Sequence, residues 1–307
     1  EYGGSVQNCC RIVTEIINGI RAACGRYPIC VRINGSDFVE GGITLAYAVE
    51  VAKTLEAAGA DALNVSCAVY ETVPNMIEPN YYEEGWRKEL AKTVKAHVKI
   101  PVIAVNTIKF PATAEKLLEE GVSDFVGVSR GQMADPEWVN KARAGREDLI
   151  RKCMGCMQCN KSVVQDGYLS CAANPVTGRG TMYNDEYLIR SGAGRNVVVI
   201  GGGPAGMQAA ITLAKRAFHV ILLEQKSYLG GMAYLATVPP HKTMVAEFIK
   251  TLEAEMKELG VDVRMNVTAD VATVKALEPY AVVVANGGME IVPQVAGLDS
   301  AHVHTME

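Results

Sequence analysis

Three observations predict an α/β fold. Residues 1–145 alternate short apolar strands with helices. Residues 195–307 open on a strand, a glycine-rich turn and a helix, and continue in the same alternation. Between them, residues 146–190 are loop-rich and carry four cysteines in a tight pattern. Apolar strands that are each followed by a helix form parallel sheets covered on both faces.

In the first region Pro28–Asn34 (P-I-C-V-R-I-N) is strand-like. A helix from Thr44 to Ala58 follows, with Leu45, Ala48, Val49, Ala52 and Leu55 on one face, Thr44 as its cap and Gly59 as its stop. Ala62–Ser66 is the next strand, and a longer loop leads to a helix around Glu84–His97. Pro101–Val105 is the third strand, and Pro111 opens a helix that stops at Gly121. Phe125–Val128 is the fourth strand, and Asp135-Pro136 starts a helix ending near Gly145. Four such units are either half of an eight-fold barrel or a small open sheet; spacing does not choose between them.

Cys153, Cys156 and Cys159 form two CxxC steps that share a cysteine, and Cys171 follows after residues 160–170. Three thiols on one short loop suit the iron corners of an iron–sulfur cluster. Zinc is the alternative, although structural zinc usually takes two separated pairs. The other five cysteines, Cys9, Cys10, Cys24, Cys30 and Cys67, read as small core residues, and the odd total of nine argues against a disulfide framework.

The third region begins with the strand Asn196–Ile200. The turn Gly201-Gly202-Gly203-Pro204-Ala205-Gly206 then opens a helix to about Lys215, and the strand Val220–Leu223 ends at Glu224. This is a dinucleotide-binding arrangement. Gly201, Gly203 and Gly206 let the backbone approach a pyrophosphate at the helix N-terminus, with Ala205 in the same turn. The Glu224 carboxylate is placed for the ribose hydroxyls, which fits FAD or NAD(H) and disfavours a 2′-phosphate. Leu229–Gly231 (L-G-G) is a second close-approach loop, which adds Gly231 to the candidates. A helix over Met244–Leu259, a strand at V-D-V-R-M and a buried strand at Ala281–Ala285 complete the region. An iron–sulfur centre beside a dinucleotide fold implies a protein that moves electrons.

Other residues carry weaker signals. Gly127-Val128-Ser129-Arg130-Gly131 matches the nucleophile elbow of hydrolases, but the later histidines lie in or beyond the dinucleotide region. The better reading is a phosphate cradle at the carboxyl end of a strand, with the Arg130 side chain on the anion; a surface salt bridge is the plain alternative. Arg32, inside an apolar strand, needs a polar partner when buried, either a flavin ring or a structural carboxylate. Tyr70 and Glu71 follow the strand Ala62–Ser66, where barrels carry catalytic groups, so Tyr70 is a candidate proton donor and equally a packing tyrosine. Tyr81, Tyr82 and Trp86 read as core rather than pocket lining.

Composition narrows the classes. The 307 residues have room for two or three domains. A net charge of -4 with scattered Lys and Arg gives no footprint for nucleic acid. No apolar stretch has the length of a membrane span, and the opening E-Y-G-G-S is no signal peptide. A cytoplasmic protein with a small-molecule substrate is expected.

Together these residues resemble one family, the iron–sulfur flavoenzyme branch of the old yellow enzymes, typified by 2,4-dienoyl-CoA reductase and trimethylamine dehydrogenase. The resemblance runs through E-Y-G-G-S at 1–5, V-R-I-N-G-S-D-F-V-E-G-G at 31–42, N-V-S at 64–66, A-V-N-T-I at 104–108, V-G-V-S-R-G-Q-M-A-D-P at 126–136, the cysteines and G-G-G-P-A-G. It implies that residues 1–145 are the C-terminal half of a TIM (β/α)8 barrel binding FMN, with Arg32 at the flavin ring and Asn106, Thr107, Gly127, Ser129 and Arg130 around its phosphate. It makes residues 146–190 a [4Fe-4S] segment and residues 195–307 an incomplete Rossmann-like FAD/NAD(P)-binding domain. Electrons would pass from NAD(P)H through FAD, cluster and FMN to an activated C=C bond of an enone, enoate or dienoyl thioester. An amine dehydrogenase, or a module for electron transfer or interaction alone, are the rivals.

The departures from the family pattern are specific. Tyr70 stands where dienoyl-CoA reductases carry a catalytic His, and Thr107 where some reductases carry Arg. Four barrel strands are missing, so the chain reads as an inactive internal fragment of a protein of roughly 650 residues. Such a fragment would form a homo-oligomer or pair with the missing barrel half.

Overall fold

The predicted alternation folds into two four-stranded parallel sheets in a computed structural model that describes residues 2–105, 107–183, 185–288 and 291–304. The chain divides into two compact units, Glu1–Asn184 and Asp185–Glu307. No helix among the described residues is long and apolar enough to cross a membrane.

In the first unit the strands β1 (Cys30–Asn34), β2 (Ala62–Ser66), β3 (Val102–Val105) and β4 (Phe125–Gly127) lie side by side in sequence order. Local chemistry sets the helices between them. Thr44 caps the helix Leu45–Ala57 by accepting from Tyr47 N at 3.3 Å, and Gly59, at φ 97°, ends it. Pro111 opens the helix Pro111–Glu119, where its missing N–H costs nothing.

Register decides what each face of this sheet carries. Arg32 pairs with Asn64, Asn64 with Ile103 and Ile103 with Phe125, so these four share a face. The opposite face holds Ile33, Leu63, Val65, Val102 and Ala104, all buried with Ala52, Leu55, Val94 and Leu117 from the helices. The expected two-faced burial is therefore corrected. Cys30, Arg32 and Phe125 are exposed, and a helix-covered core forms on one face only. The physical reason is in the strands themselves, since strand alternation gathers Arg32, Asn34, Asn64 and Ser66 on the uncovered side. Leu63 is fully buried at the centre of the covered face. Leu63→Ala is expected to destabilise the unit by about 2–5 kcal/mol, read as a lower denaturation midpoint with an unchanged m-value.

Among the described residues, two helices longer than two turns stand where no element was predicted. Val6–Cys24 is capped by Ser5 Oγ, which accepts from Asn8 N, and it buries Cys10 and Ile17. Gln158–Asp166 lies inside the cysteine segment.

In the second unit β5 (Asn196–Ile200), β6 (His219–Leu223), β7 (Asp262–Arg264) and β8 (Ala281–Val284) take the order β7-β6-β5-β8. The helices Pro204–Lys215 and Thr243–Glu258 contribute Met207, Ile211, Ile249, Leu252 and Met256 to a core with Val199 and Leu222. Val198, Ile221 and Leu223 pack on the other face with Val274 and Leu277. The expectation of a buried strand at 281–285 is corrected: β8 is the sheet edge, and Val282 and Val284 are exposed.

Candidate cofactor sites

A cavity of about 510 Å³ opens at the carboxyl ends of β1–β4. Its wall includes Arg32, Thr107, Gly127, Ser129 and Arg130, five of the residues singled out from sequence, together with Cys153 and Cys159. Asn106 lies outside the described residues. Arg32 is exposed rather than buried, and its guanidinium donates to Asn64 Oδ1 at 3.0 Å and Ser66 Oγ at 2.7 Å. Its partners are neutral, so no carboxylate consumes its charge. Thr107 is 5% exposed, and its hydroxyl has no hydrogen-bond partner. An orphaned buried hydroxyl is costly and marks a position that a ligand would satisfy.

Arg130 departs from the free phosphate clamp. Its Nη1 donates to Glu78 O at 2.8 Å and its Nη2 to Glu78 Oε2 at 2.9 Å. The salt bridge foreseen as the plain alternative exists, but its carboxylate is buried at 2% exposure. Ser129 has no histidine among the residues that line the cavity with it. Tyr70 is 87% exposed at the start of the short 3-10 turn Tyr70–Thr72 and does not line the cavity. Tyr81, Tyr82 and Trp86 are not core. Tyr81 stacks on Tyr82 with ring centroids 4.9 Å apart, and Trp86 packs tilted against Tyr82 at 4.8 Å and against Phe38 at 5.6 Å.

The cysteine loop is tied to the first sheet's unit at both ends. Arg151 N donates to Asp135 Oδ2, and Asn174 Nδ2 and Thr177 Oγ1 both donate to Met133 O. The Arg151 guanidinium donates to Ala173 O at 3.0 Å, joining the two arms of the loop. Gly155, at φ 65°, lies so close to Asn80 that a Cβ would come within 2.9 Å of its backbone nitrogen. Cys153, Cys156, Cys159 and Cys171 thereby line one cleft with Arg130 and Met133.

Burial pushes the Cys153 thiol up, while the Gly155 N–H and the Arg130 and Lys109 charges pull it down. Burial likewise raises Cys171, against the N–H groups of Ala173 and Asn174. N–H groups aimed at sulfur favour the thiolate, the form that binds iron. No three His, Cys, Asp or Glu side chains among the described residues are gathered closely enough to hold one ion. All four cysteines nevertheless line one cleft, and the chemistry of an all-sulfur donor set suits an iron–sulfur cluster.

The dinucleotide turn is built as the glycines require. A Cβ on Gly206 would overlap Gly201 O, so the helix Pro204–Lys215 packs directly on the turn. Gly203 has no heavy atom within 4 Å of its Cβ direction, and this open side is where a pyrophosphate would lie. Ala205 sits in the first turn of that helix. Gly231 faces Gly203, and Gly230 N donates to Gly202 O at 2.8 Å. Buried Glu224 accepts from Gly202 N at 2.7 Å through Oε2 and from Lys226 N at 2.8 Å through Oε1. Each oxygen keeps a lone pair for a ribose hydroxyl.

Comparison with known proteins finds a match for each unit. Residues 1–149 match the NADH:flavin oxidoreductase / NADH oxidase family, and residues 196–288 match the FAD dependent oxidoreductases. That first segment is an NADH:flavin oxidoreductase family segment. It is 44% identical over 310 residues to an NADH oxidase of Thermoanaerobacter brockii, covering 100% of this chain and 47% of that protein. The solved structure of a 2-naphthoyl-CoA reductase with 2-naphthoyl-CoA superposes with a TM-score of 0.93 at 30% identity, over 99% of this chain and 46% of that one. Histamine dehydrogenase from Rhizobium sp. 4-9 follows at 0.86 and 25% identity, over 96% and 43%. The chain thus spans about half the length of these relatives.

In this flavin oxidoreductase segment, three charged cavity residues escaped the sequence reading: Glu78, Arg87 and Lys109. Arg87 donates to Cys67 Sγ at 2.6 Å and bridges to Glu78 Oε1 at 3.1 Å. Lys109, 5% exposed, donates to Asn80 Oδ1 at 3.3 Å, and burial pushes its ammonium down. The available signal was position alone, because loops at the carboxyl ends of parallel strands carry function.

Proposed function

We propose that this chain is part of an NAD(P)H-dependent flavin and iron–sulfur ene-reductase. One observation carries the reading. Arg32, Arg87, Lys109 and Arg130, with a single carboxylate, Glu78, surround one cavity that also includes two of the clustered cysteines. Such a wall suits an anionic cofactor held beside a metal cluster.

In this reading residues 1–145 are half of an FMN barrel. The uncovered face with Arg32, Asn64 and Phe125 belongs to the barrel interior, closed by further strand–helix units or a second copy. Residues 146–190 hold a [4Fe-4S] cluster on Cys153, Cys156, Cys159 and Cys171. Residues 195–307 hold FAD over Gly201, Gly203, Ala205, Gly206 and Gly231, with Glu224 at the ribose. When bound, these groups supply the redox chemistry, from NAD(P)H through FAD and cluster to FMN and on to an activated C=C bond.

The chain's own residues bind and orient. Arg32 presents an uncompensated guanidinium to the flavin ring. Thr107, Gly127 and Ser129 hold the phosphate end, where the unpaired Thr107 hydroxyl gains an acceptor; Asn106 and the Glu78-bound Arg130 are assigned there by the family resemblance alone. Tyr70, exposed beyond β2 and outside the cavity wall, is the proton donor of this reading by its place in the sequence after that strand. Nine free thiols suit a cytoplasmic location.

The likeness to 2-naphthoyl-CoA reductase supports a conjugated acyl substrate. The likeness to histamine dehydrogenase supports the rival, an amine dehydrogenase. Anaerobic addition of NADH to the full-length protein is expected to bleach its flavin absorbance. Bleaching by an amine and not by NADH would overturn this reading for the rival; bleaching by neither would leave a module for electron transfer or interaction.

A further inference from the structure

Glu78 is an unusual residue for a cavity wall. It is 2% exposed, and it comes from the long loop after β2. Its Oε2 receives Arg130 Nη2 at 2.9 Å; its Oε1 receives Arg87 Nη2 at 3.1 Å and Trp86 Nε1 at 3.3 Å. Its own carbonyl receives Arg130 Nη1 at 2.8 Å. Arg130 is thus held by two atoms of one residue, a fork geometry that fixes the guanidinium plane.

The location of that plane matters. Arg130 lines the cavity and also the cysteine cleft, and its Nη1 lies 3.9 Å from Met157 Sδ, between Cys156 and Cys159. Lys109 stands in the same cavity wall. The wall shared by the two spaces therefore carries Arg130, and Glu78, the one carboxylate among the cavity's lining residues, is paired to it. A buried carboxylate between two guanidiniums is weak evidence for stability, because similar triads are often replaceable by apolar groups. What it does supply is a fixed charge in a medium where charges act over long range.

We propose that Glu78 is a positioning residue for electron transfer: it locks Arg130 into the wall shared by the cavity and the cysteine cleft, and its negative charge there holds down the reduction potential of the group bound by the cysteines. The inference rests on the reading that those cysteines hold an iron–sulfur cluster. Cluster potentials respond to net charge, to hydrogen bonds on sulfur and to exposure. Adding an electron beside a buried carboxylate is disfavoured, and adding one beside a guanidinium is favoured.

The test is an anaerobic potentiometric titration of the full-length holoenzyme, with the reduced cluster followed by electron paramagnetic resonance. Glu78→Gln keeps the shape and removes the charge, and it is expected to raise the cluster midpoint. Arg130→Gln is expected to lower it. Glu78→Asp, which restores the charge, is expected to return the midpoint toward wild type, a recovery that a purely structural role does not produce. Unchanged midpoints, or a shift of the Gln variants in the same direction, would overturn the inference. If Glu78→Gln does not accumulate as folded protein, Arg130→Gln decides alone, and an unshifted midpoint overturns it. Wild-type protein without a cluster signal sinks the cluster reading itself; a wild-type signal with no shift sinks only the role of Glu78.

Discussion

Cys171→Ser is expected to strip the protein of iron and acid-labile sulfide while leaving its flavin in place. Cys153 and Cys156 lie on the loop before the helix Gln158–Asp166 and Cys159 in its first turn, whereas Cys171 closes the set from beyond the helix's end. A hydroxyl is a far poorer ligand for iron than a thiolate. Loss of even an outer partner of a metal ligand costs about 10–100-fold in affinity, and loss of the ligand itself costs more. The cleft is anchored independently by Arg151, Asn174 and Thr177, so the polypeptide around the sulfurs has reason to persist. Iron and sulfide analysis beside flavin extraction reads the outcome. Full iron content in the variant would show that these four cysteines are not the ligand set.

Gly206→Ala is expected to cost the protein its FAD while FMN remains. The added methyl would overlap Gly201 O and sit 3.4 Å from Ala285 Cβ, and both neighbours belong to the turn or to the chain just beyond β8. Relief requires the helix Pro204–Lys215 to move off the turn, which displaces the N-terminus meant for the pyrophosphate. Overpacking by a methylene-sized group costs about 1–3 kcal/mol, which as lost affinity is roughly 5–150-fold. Chromatography of the released flavins measures the FAD to FMN ratio. Gly203→Ala is the informative companion, because its Cβ meets no protein atom within 4 Å. It should lower FAD content through the ligand alone and leave the denaturation midpoint unmoved. Equal FAD content in both variants and wild type would remove this turn from cofactor binding.

Much of the architecture was legible because it is written locally. Thr44, Gly59, Pro111 and the apolar runs of β1–β3, β5 and β6 are short-range signals, and the elements they mark are present. The helix Val6–Cys24 carried an equally local signal, Ser5 followed by Val6, Cys10, Val13, Ile17 and Ile20 at helical spacing, which the sequence reading passed over. The helix Gln158–Asp166 had no such signal. It starts after Met157 in a left-handed conformation, inside a segment whose chemistry is its cysteines rather than its periodicity.

The sequence by itself determined the covalent vocabulary of the sites: four cysteines at fixed spacing, and a glycine turn followed by an acid at the end of the next strand. Those patterns are chemical and short, so they survive without knowledge of the fold. Only the tertiary structure decided which face of the first sheet is covered, that Arg32 is exposed with neutral partners, and that Arg130 is claimed by Glu78. The last of these joins residues 52 positions apart. A carboxylate finds its guanidinium through the packing of loops at the end of a sheet, and no periodicity, cap or motif encodes that distance.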